Sequence, residues 1–292
     1  MPPSSDLLAS YFTIAGNIIP VSGHTVSPFD FRARAEAAAQ AGFRGFGFFD
    51  TDLAAVVRDY GLHSIRSILT ENGFTCVECE LQSFPWYAEP AERDQYEPAL
   101  RAFFDAVEGI GCHHIKVGGC MERSFSVDHM IEAFADLCDR AAAVGTRVGF
   151  EMVPFTNVPD LATTRAIVEG ADRPGGGYML DIWHICRGKQ SLAELALLPA
   201  ARICGVELSD AAAEVRGTLL EDTLHQRRFC GEGDFDISAF IKAIDVTGYE
   251  GMFGIEILSD EIRLMTLPDA AKRAFDTTAR AVSRARAAIS GR

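Results

Sequence analysis

Two hydrophobic patterns alternate along this chain. Short apolar runs of five to ten residues are separated by longer stretches in which apolar positions recur every three or four residues. The first pattern reads as strands and the second as amphipathic helices. Strands are expected at "SYFTIAGNII", "FRGFGFF", "TCVECEL", "HHIKVGG", "RVGFEMV", "GYMLDIW", "ICGVELSD" and "GMFGIEIL". The first helix is expected in "SPFDFRARAEAAAQAG", with Ser27 as its cap, Pro28 in its first turn and Gly42 as its stop. Further helices are expected around 59–72, 91–108, 127–144, 160–169, 191–198 and 237–247, the last after a long connection. Gly73, Gly145 and Gly248 act as stops. An Ala/Arg-rich helix closes the chain.

Strands alternating with helices specify parallel βαβ units. Eight such units in 292 residues predict a single (β/α)8 barrel spanning 1–292 rather than an open doubly wound sheet. No Gly-x-Gly-x-x-Gly follows the first strand, which removes the usual dinucleotide fingerprint.

Composition narrows the partners. A formal net charge of −14 repels phosphate backbones and argues against nucleic acid. No stretch approaches the ~20 apolar residues of a membrane span, and "MPPSSDLLAS" has neither the basic nor the apolar part of a signal peptide. A cytoplasmic protein is expected. Of eight cysteines, Cys76 and Cys79 form one C-x-x-C. It lies in an alternating strand, so its two thiols face opposite ways, and no second C-x-x-C completes a zinc ribbon. The expectation is buried, reduced thiols.

In a barrel, chemistry gathers at the C-terminal ends of the strands. Reading only those ends, Glu151, Asp181, Glu207 and Glu256 follow four consecutive apolar runs. Four carboxylates at one mouth repel one another, and burying them uncompensated costs several kcal/mol each. A divalent cation is the simplest compensation. Oxygen donors favour Mn or Mg, with Co or Zn as alternatives. His184 lies one helical turn past Asp181 and can reach the same ligand. Arg227 sits in a Gly-rich loop where it can neutralise an anion. His114 and Lys116 share one face of the fourth strand and are candidates for substrate contact, as are Trp86 and His24.

These motifs make the chain resemble the xylose-isomerase-like barrels: sugar isomerases and epimerases, inosose and dehydroshikimate dehydratases, and endonuclease IV relatives. The resemblance runs from "AAAQAGFRGFGFF" to "GYEGMFGIEIL". It rests on Glu151, on Asp181 with His184, on Glu207 in "VELSD", on Arg227 in "RRFCGEG" and on Glu256. It implies a metal held by the four acids and a role for His184 in binding a substrate oxygen or relaying a proton. There are departures. The strand-7 ligand of the family is His or Gln, here Glu207, expected either to ligate weakly or to be held by Arg227. Cys230 replaces the usual Pro. The family's strand-2 acid is missing unless Asp50 replaces it.

The expected function is a divalent-metal-dependent isomerase or epimerase. It would act on a polyhydroxylated keto substrate through an enolate, with Glu151 or Glu256 taking the proton. A dehydratase or other lyase is the close alternative, and a metal-dependent phosphodiesterase the remote one. A binding barrel that has lost its chemistry is disfavoured by its four acids. A dimer or tetramer of this chain is expected.

Overall fold

The computed structural model describes residues 6–82 and 85–290. Residues 1–5, 83–84 and 291–292 lie outside it. The strands are β1 (Leu7–Ala9), β2 (Gly45–Phe49), β3 (Cys76–Glu80), β4 (His114–Gly118), β5 (Arg147–Glu151), β6 (Gly176–Asp181), β7 (Ile203–Leu208) and β8 (Phe253–Ile255). They close into one barrel in sequence order, every neighbour parallel, with β8 returning to β1. The sheet has no free edge. Its outer wall carries the main core, in which Phe46, Phe48, Ile115, Val117, Val148, Phe150, Val206 and Phe253 are fully buried under the helices.

The helices are α1 (Tyr11–Ile14), α2 (Phe31–Ala41), α3 (Asp50–Glu71), α4 (Pro90–Arg93), α5 (Glu97–Ile110), α6 (Val127–Ala143) and α7 (Leu161–Ala171). They continue with α8 (Ile182–Arg187), α9 (Leu192–Leu195), α10 (Leu219–His225), α11 (Ile237–Thr247), α12 (Asp260–Arg263) and α13 (Leu267–Ser290).

Several boundaries differ from the sequence reading. The first strand lies earlier, at Leu7–Ala9, and "YFTI" is the short helix α1. An unbroken apolar run cannot distinguish the two states. What decides is pairing: Leu8 stands opposite Gly45 and Gly254, while the Thr13 hydroxyl bonds Ile255 O (2.6 Å) and ties α1 over β8. Helix α2 is capped by Asp30, which accepts from Ala33 N, and not by Ser27. The Ser27 hydroxyl is spent on Ala15 O. Helix α3 starts at Asp50, directly after β2, and bends at Gly61, whose φ of 72° is left-handed. The helix expected at 91–108 is two helices, α4 and α5. The connections after β6 and β7 contain the additional short helices α8 and α10. Gly42 and Gly248 end α2 and α11 in the left-handed conformation.

Candidate active site

Each strand that supplies an acid ends at the same face. Glu151 and Asp181 are the last residues of β5 and β6, Glu207 is in β7 opposite Asp181, and Glu256 follows β8. All four are at least 95% buried. One carboxylate oxygen from each lies within 4.8 Å of the others. Four acids, the outermost of which, Glu151 and Glu256, are 105 positions apart in the sequence, therefore form one cluster, because parallel strands bring their C-terminal ends to one mouth.

Two buried cations enter this cluster. Lys116 rises from β4, and its Nζ lies 2.6 Å from Glu256 Oε1, 3.0 and 3.1 Å from the two oxygens of Glu207, and 3.3 Å from Glu80 Oε1. The Ser10 hydroxyl also donates to Glu207 Oε1 (2.6 Å). Arg227 lies 2.6 Å from Asp181 Oδ2 and 3.1 Å from Glu256 Oε2, while its Nε and Nη2 donate to Thr223 Oγ1. The other oxygen of Asp181 accepts from Trp183 N and so starts α8. That turn places His184 with its Nε2 3.7 Å from Glu151 Oε1.

Burial and neighbouring charge together set the protonation. Burial opposes the ammonium of Lys116, but Glu207, Glu256 and Glu80 outweigh it and hold its pKa well above the usual lysine value. Burial pushes Glu151 up to about 8, helped by Glu256 and Asp181 and opposed by Lys116 and Arg227. Burial likewise raises Glu80, at the end of β3, well above the carboxylate range. His184 is held neutral, first by burial and then by the charge of Arg227.

A cavity of about 630 Å³ opens above these groups. Glu80, Glu151, His184, Arg227 and Glu256 lie on its polar side, and Trp86 forms part of its apolar wall. Trp86 meets Phe150 edge to face at 5.6 Å, so packing fixes its orientation.

The donor set fits a divalent cation. Glu151 Oε1 is buried with no hydrogen-bond partner, as is His184 Nδ1. A native interior rarely leaves such atoms unsatisfied. Burial drives Glu80, Glu151 and Glu207 toward their protonated forms, and a divalent ion could take the place of protons at the mouth. Hard oxygen donors suit Mg, Mn or Zn. Glu207 fits this role least well, since it already takes three hydrogen bonds, two from Lys116 and one from Ser10, and is 0% exposed. It is held by Lys116, not by Arg227.

Of the residues singled out in the sequence, Glu151, Asp181, Glu207, Glu256, His184, Arg227, Lys116 and Trp86 come together at this mouth. Two do not. His24 is exposed on a loop beside the cavity. His114 lies at the opposite, N-terminal end of the barrel, bonded to Glu78. It does share an inward face with Lys116, but residues two apart on a strand stand ~6.6 Å apart along it, in different layers of the barrel. Asp50 does not join the acids; it accepts from Thr51 N and Gln82 N. Glu80 went unrecognised in the sequence. The alternation of Glu78 and Glu80 in "CVECEL" is the signal that would have found it.

A family model described as xylose isomerase-like TIM barrel matches residues 35–281. A 3-dehydroshikimate dehydratase of Pseudomonas aeruginosa is 26% identical over 244 residues, covering 78% of this chain and 36% of the dehydratase. The chain thus spans about a third of that relative's length. An inosose isomerase of Halalkalibacterium halodurans is 23% identical over 156 residues, 53% of this chain and 54% of the isomerase. Among solved structures, an IOLI protein with a binding zinc atom superposes with a TM-score of 0.81 at 16% identity, covering 96% of this chain and 98% of that one. An L-ribulose 3-epimerase gives a TM-score of 0.73 at 18% identity, with 98% and 96% covered.

Proposed function

We propose, on the premise that the chain belongs to the xylose isomerase-like TIM barrel family, that it is a divalent-metal-dependent isomerase or epimerase of a small polyhydroxylated keto substrate. The observation that carries this reading is the convergence of Glu151, Asp181, Glu207 and Glu256, each buried and offering one oxygen within 4.8 Å of the others, beneath an open cavity that Glu151 and Glu256 line.

Glu151, Asp181 and Glu256 would hold the ion, with Glu207 contributing least. Bound there, a divalent ion supplies Lewis acidity toward the oxygens of a ketone and its neighbouring hydroxyl. The protein's own groups handle the proton. Glu151 takes it from the carbon beside the carbonyl through Oε1, which has no hydrogen-bond partner within the protein. Neutral His184, beside Glu151, hydrogen-bonds a substrate hydroxyl. Glu80 faces the same cavity in its protonated form and can return a proton to the neighbouring carbon. Lys116 and Arg227 hold both oxygens of Glu256 and fix its orientation. The Trp86 wall offers an apolar surface to the carbon side of the substrate.

A lyase is the second reading. It is favoured by the dehydroshikimate dehydratases, which align with 78% of this chain against 53% for the inosose isomerases. The same proton removal, with a β-hydroxyl leaving as water on the proton that Glu80 would otherwise return to carbon, makes the site a dehydratase.

Incubating the protein with Mn or Mg in heavy water and a panel of ketoses, inososes and cyclic hydroxy-ketones tests both. Deuterium entering an unchanged or isomerised substrate is the expected result, read by NMR. Appearance of an enone decides for the lyase. Glu151→Gln is expected to slow exchange by about 10²–10⁴. Neither exchange nor elimination across the panel, with the metal bound, would overturn the reading.

A further inference from the structure

The barrel has a second cavity, of about 490 Å³, at its N-terminal end. It faces away from the mouth and shares no lining residue with the cavity there. Cys76, the first residue of β3, and His113 and His114, at the start of β4, line it together. The Cys76 sulfur and one ring nitrogen from each histidine lie within 4.8 Å of one another.

The two imidazoles meet nitrogen to nitrogen, His113 Nδ1 standing 3.0 Å from His114 Nδ1. Two nitrogens bound at ~2.0–2.1 Å to a tetrahedral metal are about 3.3 Å apart, so little movement separates this pair from a ligand edge. The far side of His114 is also arranged. Its Nε2 lies 2.8 Å from Glu78 Oε2, and Glu78 is 1% exposed. A buried carboxylate there takes the Nε2 proton as its hydrogen bond and leaves Nδ1 as the acceptor for His113 Nδ1–H; His113 frees that nitrogen for a metal when its proton moves to Nε2. Metal-binding histidines are oriented by this type of partner. His113 is exposed at the cavity rim, which gives an ion a way in. Arg147 lines the same cavity and opposes a cation there, but one of its nitrogens is committed to Ala201 O and Glu78 offsets its charge; burial pushes the Cys76 thiol up to about 12, so its proton would leave only as the metal binds.

We propose that Cys76, His113 and His114 form a second metal site for a thiophilic divalent ion of the zinc class, with Glu78 as the group that orients His114. One sulfur and two nitrogens are a softer donor set than the carboxylates at the mouth, so the two ends of the barrel select different ions. Three protein ligands leave a fourth position facing the cavity, open to water or a small ligand. Binding would also clamp the first residues of β3 and β4 together.

Cobalt(II) added to the chelator-stripped, reduced protein tests this independently of any enzyme activity. A cobalt–thiolate bond produces a near-ultraviolet charge-transfer band, which all-oxygen ligation at the mouth cannot give. The expected result is a band saturating at one equivalent, retained in Asp181→Ala, lost in Cys76→Ser and lost or shifted to higher cobalt concentrations in His113→Ala. His113 is exposed, so that variant should keep the fold if Cys76→Ser does not. Glu78→Gln should weaken cobalt binding by about 10–100-fold. No band in the wild type, or a band and affinity unchanged in Cys76→Ser or His113→Ala, would overturn the site.

Discussion

Replacing Lys116 by Gln would remove the ammonium from both oxygens of the Glu207 carboxylate and leave the Ser10 hydroxyl on one of them. Glu207 is 0% exposed, so water cannot take over. Breaking a buried pair from one side costs about 3–5 kcal/mol, mostly for the stranded charge. Lys116→Gln should therefore lose about that much stability in urea unfolding. Lys116→Gln with Glu207→Gln should recover the part that belongs to Glu207, since two amides can bond each other without a charge, while Glu256 still lacks the ammonium 2.6 Å away. If the double variant is no better than the single one, Glu207 and Lys116 are not energetically coupled. The same geometry predicts that, of Glu151→Gln, Glu207→Gln and Glu256→Gln, the Glu207 variant weakens metal binding least.

At the scale of the element, β6 and β7 position two of the four acids, and their register is irregular between Tyr178 and Met179. Gly177 permits it. A Cβ there would stand 1.9 Å from the carbonyl oxygen of Arg202, the residue that leads into β7. Backbone cannot swing away as a side chain can. Gly177→Ala should cost about 3 kcal/mol and shift the strand that ends in Asp181, lowering metal affinity as well as the melting temperature. Gly145→Ala is the control. Its φ of 72° is unfavourable for alanine, but the space around it is open, so the cost should stay at about 1–2 kcal/mol with metal affinity unchanged. Equal effects from the two substitutions would mean that the close approach at Gly177 does not hold the register.

For the whole molecule, the acid cluster ties stability to pH and to metal. Glu151 has its pKa raised from 4.5 to about 8 in the fold. Its folded, protonated form is favoured at low pH. That stability is fully present below about 4.5 and is lost as pH rises through about 8. Glu151→Gln imitates the protonated acid, so metal-stripped wild type should lose stability relative to this variant across that window. Comparing the two proteins cancels the opposite contribution of neutral His184, which disfavours the fold as pH falls. Bound metal should flatten the difference, and it should raise the wild-type melting temperature with concentration as linkage requires. A difference between the two proteins that does not change between pH 4.5 and 8 would show that Glu151 is not held protonated. No helix of the described residues is long and apolar enough to cross a membrane.

What the sequence determined by itself is the part that depends on repetition. Alternating strand and helix periods specify parallel units, eight of them close a barrel, and the barrel rule sends Glu151, Asp181, Glu207 and Glu256 to one mouth. Each of these steps is local or topological, and each could be read without coordinates. The partners of those acids could not. That Lys116 and not Arg227 neutralises Glu207 depends on how far each side chain reaches across the barrel axis, between residues 91 positions apart. That His114 belongs to the far end, although it shares a face with Lys116, depends on the layer each occupies, which residue alternation does not encode. The short helices α1, α8 and α10 escaped for a related reason. Each is one or two turns long, too short for a period to emerge, and is held in place by contacts such as Thr13 to Ile255 and Asp222 to Trp183 that exist only once the barrel has closed.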